Sequence, residues 1–152
     1  MPSAPATAAV DTPAVAGDRA PAALTEDEIF NRKSLAELNA ESPLGDVFFP
    51  VDESIIPEEG REVLAVNAQW LRRWGATRVT VEGHGDSRGT SEYNLALGER
   101  RARAVVDYLT TLGIEPARLL PSSKGEEAPF CVDEAESCWR LNRRGHFVIT
   151  AK

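Results

Sequence analysis

The densest run of chemistry-bearing residues extends from Glu82 to Val105 and reads EGHGDSRGTSEYNLALGERRARAV. Its front part, Gly83 to Thr90, is a glycine-rich turn between a strand pattern and a helix pattern, a setting that can cradle phosphate on backbone N–H groups. The GxGxxG order and the P-loop lysine are both missing, and Asp86 would repel an anion at close range. No cofactor is expected. The more informative feature is the pair Asp86 and Arg101. A helix rises about 1.5 Å per residue, which sets Arg101 roughly 15 Å along the axis from a cap near Ser91. Residue types leave two readings. Either the long guanidinium reaches back to share a groove with Asp86, or Asp86 pairs locally with Arg88 while Arg101 is one charge on a solvated face with Glu99, Arg100 and Arg103.

Two cysteines, Cys131 and Cys138, sit in one short stretch among acidic and small residues. That spacing suits local closure by a disulfide, with reduced thiols and then a metal pair as the alternatives. Zinc wants four ligands, and only His84 and His146, well separated, remain to supply them, so no metal site is expected. A disulfide would point to an oxidising compartment. Trp70, Trp74 and Trp139 can act as platforms for sugar rings, although the first two lie on a helix expected to pack.

Positioning these groups takes an alternation of elements. Residues 1–24 are mostly Ala, Pro, Val, Thr and Asp without an aromatic residue, so they read as a flexible tether. Residues 25–43, with Ile29, Phe30, Leu35 and Leu38 among charges, read as a short helix or wrapped segment. The folded domain then spans 44–152. Val47 to Val51 is a first strand ending at Asp52. Pro57 suits the first helical position and is followed by Glu58 and Glu59, and Leu64, Ala68, Leu71 and Trp74 make a buried stripe that stops at Gly75. Arg78 to Gly85 alternates as a strand with one face on a core. Thr90 or Ser91 caps a second helix with Leu95, Ala102, Val105, Val106, Leu109 and Leu112 inward, ended by Gly113 and Pro116. Arg118 to Ser123 is a strand only at an edge, because Pro121 lacks an N–H. Gly145, Phe147 and Ile149 alternate in a last strand. The fold class predicted is an α/β two-layer sandwich: βαβα followed by two strands, a small mixed sheet with both main helices on one face.

Composition narrows the function. The formal net charge of −7 argues against a nucleic-acid partner, which needs a basic face to replace counterions. No run approaches the roughly 18 to 20 apolar residues that span a bilayer, and no charged, then apolar, signal pattern opens the chain.

The turn Gly83-His84-Gly85-Asp86-Ser87-Arg88-Gly89, then Asn94 and Leu97, then Arg101-Ala102 with Val105, resembles the OmpA C-terminal-like domain family, in which a GHxD turn precedes an LxxxRAxxV helix. The resemblance continues through Gly113, Arg118, Gly125-Glu126-Glu127, Pro129 and Asn142-Arg143-Arg144, and so runs from about Phe48 to Ile149. The GEExP and NRR runs, with the Ala/Pro-rich tether, look closest to the family's peptidoglycan-associated lipoproteins. This resemblance implies non-catalytic binding of peptidoglycan through the diaminopimelate of its stem peptide, on the periplasmic side of the outer membrane, with a lipid anchor that the sequence does not contain. By the same resemblance Asp86 meets the ligand ammonium and Arg101 its carboxylate. A zwitterionic centre needs one anionic acceptor and one planar cationic fork. Further contacts are expected from Asp52, His84, Gly85, Ser87, Thr90, Asn94, Leu97 and Arg143. Relatives also bind Tol-type periplasmic proteins, TolB-like and TolA-like, and these are partner candidates.

Three expectations stay open. Arg143 and Arg144 either reach the groove or form salt bridges with Glu126, Glu127 or Asp133. Gly85, where family members often carry Ala or Thr, loosens the turn. The Cys131–Cys138 insert reshapes one wall of the groove. A cell-wall hydrolase or amidase using His84 and Asp86 with a metal is the rival activity, and it lacks both metal ligands and a nucleophile with a neighbouring base.

Overall fold

A computed structural model describes residues 23–152, so the expected tether over 1–24 lies almost wholly outside the described residues. The chain divides into two units, with the boundary between Arg32 and Lys33. In the first, α1 (Glu26–Arg32) begins where Thr25 Oγ1 accepts from Glu28 N and Glu28 Oε1 accepts from Thr25 N. These reciprocal bonds satisfy two backbone donors that a helix start otherwise leaves orphaned.

The second unit opens with α2 (Leu35–Glu41), started by a capping box between Ser34 and Glu37. It continues through β1 (Val47–Phe48), α3 (Glu58–Arg73), β2 (Arg78–His84), α4 (Ser91–Thr111), β3 (Leu119–Gly125), α5 (Glu136–Asn142) and β4 (Arg144–Ala151). The strand order is β1-β4-β2-β3, with β2 parallel to β3 and antiparallel to β4. The mixed sheet and the helix pair α3 and α4 form the two layers expected. Leu64, Ala68 and Leu71 of α3 and Leu97, Ala102, Val105 and Leu109 of α4 build the core with Val79, Val81, Phe147 and Ile149. Pro121 lies in the edge strand β3, where its missing N–H costs no ladder bond.

Several expectations change in detail. β1 is two residues long because Pro50 has no N–H and the chain turns at Val51 and Asp52; Phe49 N still donates to Arg143 O at 2.8 Å, the last bond along that pairing. Pro57 is the cap of α3 rather than its first residue. Trp74 closes that helix half-buried, beneath the Arg73 guanidinium, and Leu95 is exposed rather than part of the buried stripe. An additional short helix, α5, interrupts the two final strands; seven residues are too few to show a period.

Two close fits set the site. A Cβ on Gly83 of β2 would overlap the Gly98 carbonyl of α4, and a Cβ on Gly98 would lie 2.7 Å from Gly83 O. Only paired glycines let the helix lie this close to the strand. At the free side of β4, the Asn39 amide accepts from Ile149 N at 2.8 Å and donates to Ile149 O at 3.0 Å, standing in for a neighbouring strand residue.

Candidate functional site: a two-charge cleft at the end of β2

The turn after β2 and the first half of α4 border a cleft of about 180 Å³ lined by Val51, Asp52, Asp86, Arg88, Gly89, Tyr93, Asn94, Leu97, Arg101 and Arg143. Its floor is Arg101, which is wholly buried. Nε donates to Glu53 O at 2.8 Å, Nη1 to His84 O at 2.8 Å and Nη2 to Pro50 O at 2.9 Å. Three of its five N–H groups are thus spent on the loop after β1 and the end of β2, and two remain. Burial, with Arg143 close by, pulls the guanidinium down to about 10, opposed by Asp86, and it stays charged at neutral pH. The solvated-face reading of Arg101 is therefore wrong. The close glycine packing of α4 on β2 brings this position under the turn.

Asp86 is nearly buried and does pair locally with Arg88. Arg88 Nη2 lies 2.7 Å from Oδ2, and Oδ1 accepts from Arg88 N at 3.0 Å. Burial raises the carboxyl, but the Arg88 bonds with help from Arg143 outweigh it and hold the group below its ordinary value. Both readings of the sequence hold in part, since Asp86 has its local partner and still shares one cleft with Arg101.

The turn is organised from α4. Thr90 caps the helix by accepting from Tyr93 N, and Asn94 Nδ2 donates to Arg88 O at 2.7 Å and to Glu126 Oε1 at 2.7 Å. Gly85 does not loosen this turn. Its N–H donates to Gly125 O at 2.8 Å, and a Cβ there would sit 2.8 Å from Asn94 Oδ1, so the glycine lets Asn94 close in. Tyr93 Oη donates to Asp52 Oδ1 at 2.9 Å, bridging the helix to the loop after β1. Asp52 adopts a left-handed φ of 60°, which aspartate tolerates better than most residues.

The opposite wall comes from the end of α5. Arg143 is buried, donating to Phe49 O at 3.0 Å, Glu136 Oε2 at 3.0 Å and Asp86 Oδ2 at 3.4 Å. Its partners are thus Asp86 and Glu136, and Arg144 pairs with Asp46, so neither takes the expected Glu126, Glu127 or Asp133. Cys131 and Cys138 form a disulfide, and Asn142 binds the closed loop by accepting from Phe130 N and Cys131 N and donating to Cys131 O. Trp139, next to Cys138, donates its indole N–H to Ser87 Oγ at 3.0 Å, and the Arg88 guanidinium lies over its ring at 4.2 Å.

Of the expected site residues, Asp86, Arg101, Asp52, Asn94, Leu97 and Arg143 line the cleft. Gly85, Ser87 and Thr90 are not among its lining residues: Gly85 N donates to Gly125 O, Thr90 caps α4, and Ser87 bonds to Glu134 and Trp139. His84 belongs elsewhere: its ring is buried 4.9 Å from Phe130, with Nε2 3.2 Å from Glu82, and only its carbonyl serves the site through Arg101. Burial lowers its pKa against the pull of Glu82. Sequence reasoning missed Tyr93 and Val51, and treated Arg88 only as a local partner. Tyr93 stands three residues after the Thr90 cap, one helical turn on and beside Asn94, and that spacing was the available signal.

A model of the OmpA family matches residues 48–138. The chain is 45% identical over 107 residues to the peptidoglycan-associated lipoprotein of Brucella melitensis biotype 1, covering 70% of this chain and 64% of that one. It is 43% identical over 111 residues to the protein of that name from Pseudomonas aeruginosa. The chain thus spans just under two thirds of the length of the Brucella relative. The crystal structure of the peptidoglycan-associated lipoprotein from Burkholderia pseudomallei superimposes with a TM-score of 0.67 at 36% identity, over 69% of this chain and 89% of that one. All the residues lining the cleft at the end of β2 except Arg143 fall within the matched residues, the buried arginine of α4 among them, and the chain belongs to the OmpA family.

Proposed function

We propose that this chain is a non-catalytic cell-wall clamp that binds peptidoglycan through the diaminopimelate of its stem peptide. The observation that carries the reading is that Asp86 and Arg101 line one small cleft, in a chain 45% identical to a relative named for peptidoglycan association. Asp86 accepts the ligand ammonium and Arg101 grips its carboxylate, while Leu97 supplies an apolar wall. Charge-assisted hydrogen bonds contribute about 1.5 to 3 kcal/mol each, which after association costs leaves a micromolar to millimolar Kd. Repeated engagement along a polymer raises the effective grip. The clamp works on the periplasmic side of the outer membrane, held there by an N-terminal lipid anchor, and TolB-like or TolA-like proteins are its protein partners. The disulfide supports an oxidising compartment.

The test is a calorimetric titration with a diaminopimelate muropeptide, using a lysine-containing stem as control. Asp86→Asn is expected to weaken binding by about ten- to a hundredfold, and the lysine stem to bind less well because it lacks one carboxylate. A folded wild type that ignores the muropeptide rejects this ligand and leaves the protein-adaptor role as the reading to pursue.

A further inference from the structure

Asp86, the carboxylate on which ammonium binding rests, is already engaged by two cations. They differ in freedom. The Arg143 side chain is 6% exposed and is also held by Phe49 O and Glu136, whereas the Arg88 side chain is 40% exposed and reaches Asp86 from the open side. What restrains Arg88 is Trp139. The guanidinium carbon lies 4.2 Å from the ring centroid, and the indole is itself fixed by its bond to Ser87 Oγ, whose second partner is Glu134 Oε2 at 3.2 Å. Trp139 follows Cys138 directly, so the disulfide-closed loop presents the ring that the cation stacks on.

We propose that Trp139 is a positioning residue that clamps Arg88 onto Asp86, and that this clamp closes the carboxylate to an incoming ammonium until Arg88 swings away. The clamp is a property of the free chain; its effect on ligand binding rests on the peptidoglycan reading. A ligand that must displace an internal competitor binds more weakly by the fraction of molecules in which the site is open. Stacking of a guanidinium on a partly exposed ring makes that factor about two- to fivefold. The disulfide-closed loop, through the Trp139 that follows it, thereby tunes affinity by way of Arg88.

The experiment pairs two measurements on wild type, Trp139→Ala and Trp139→Phe. Carbon NMR follows the Asp86 carboxyl titration in the free chain, and calorimetry follows the diaminopimelate muropeptide. Trp139→Ala is expected to raise the Asp86 midpoint and to tighten muropeptide binding two- to fivefold, with Trp139→Phe close to wild type because a stacking face remains. An unmoved Asp86 midpoint in folded Trp139→Ala overturns the clamp. Weaker muropeptide binding in that variant overturns the competition. If wild type does not bind the muropeptide while the midpoint still moves, the peptidoglycan reading falls and the clamp stands. Should Trp139→Ala unfold, Arg88→Gln carries the same test: a higher midpoint and tighter binding support the proposal, and weaker binding overturns it.

Discussion

Arg101 spends most of its hydrogen-bonding capacity on the protein itself, and this dual duty governs how it can be tested. Removing the side chain leaves the carbonyls of Pro50, Glu53 and His84 without their charged donor, that of His84 in a buried setting and the other two in part-buried ones. Arg101→Ala is therefore expected to lose about 3 kcal/mol or more of stability, read as a fall in the urea midpoint, so that lost binding in that variant reports unfolding as much as recognition. Arg101→Lys keeps the charge but cannot span three divergent acceptors, and should fall between the two. At this scale residue types and spacing leave Asp86 and Arg101 either in one groove or apart, and it is the resemblance to the OmpA C-terminal-like family that pairs them. Types and spacing do not show that Arg101 is buried, because Glu99, Arg100 and Arg103 around it look like a solvated face. Nor do they separate the carbonyl of His84, which holds Arg101, from its ring, which packs on Phe130.

The elements are more readable where they are long. The 3.6-residue period of α3 and α4 and the alternation of β2 and β4 mark the sandwich, since each element must bury one face. The short pieces α5 and β1 escape this reading: the first is seven residues long and fixed by tertiary contacts and a disulfide, and the second is cut short by Pro50. The interlock of Gly83 and Gly98 also leaves no periodic trace, because glycine contributes no hydrophobic signal. Its effect is large nonetheless. Gly98→Ala must push α4 off β2 and is expected to cost about 1 to 3 kcal/mol, measurable by thermal melting. Because Arg101 lies one turn further along α4, the same change should also weaken muropeptide binding in whatever protein remains folded.

At the scale of the whole molecule, two histidines on β2 and β4 pull stability in opposite directions with pH. Both imidazoles titrate near 6.5 when unperturbed. His146 is raised by its bonds to Asp46, which outweigh burial, so its contribution is fully present below about pH 6.5 and is lost as pH climbs through its folded value. His84 is lowered by burial, which outweighs Glu82, so stability is lost as pH falls from about 6.5 toward its folded value. From these two groups stability peaks near pH 6.5. Urea midpoints measured from about pH 5 to 8 check this, and Asp46→Asn should flatten the alkaline limb alone. The formal net charge of −7 favours repulsion between copies, but charge alone does not cover an open strand edge. That protection falls to Asn39, whose side-chain amide occupies the Ile149 backbone groups. An open ladder there would be a template on which a second copy could add a strand, and then a third. Asn39→Ala is accordingly expected to bare the Ile149 N–H and carbonyl and to increase self-association read by sedimentation, which makes a single side chain of α2 the guard over this stretch of β4 against polymer growth.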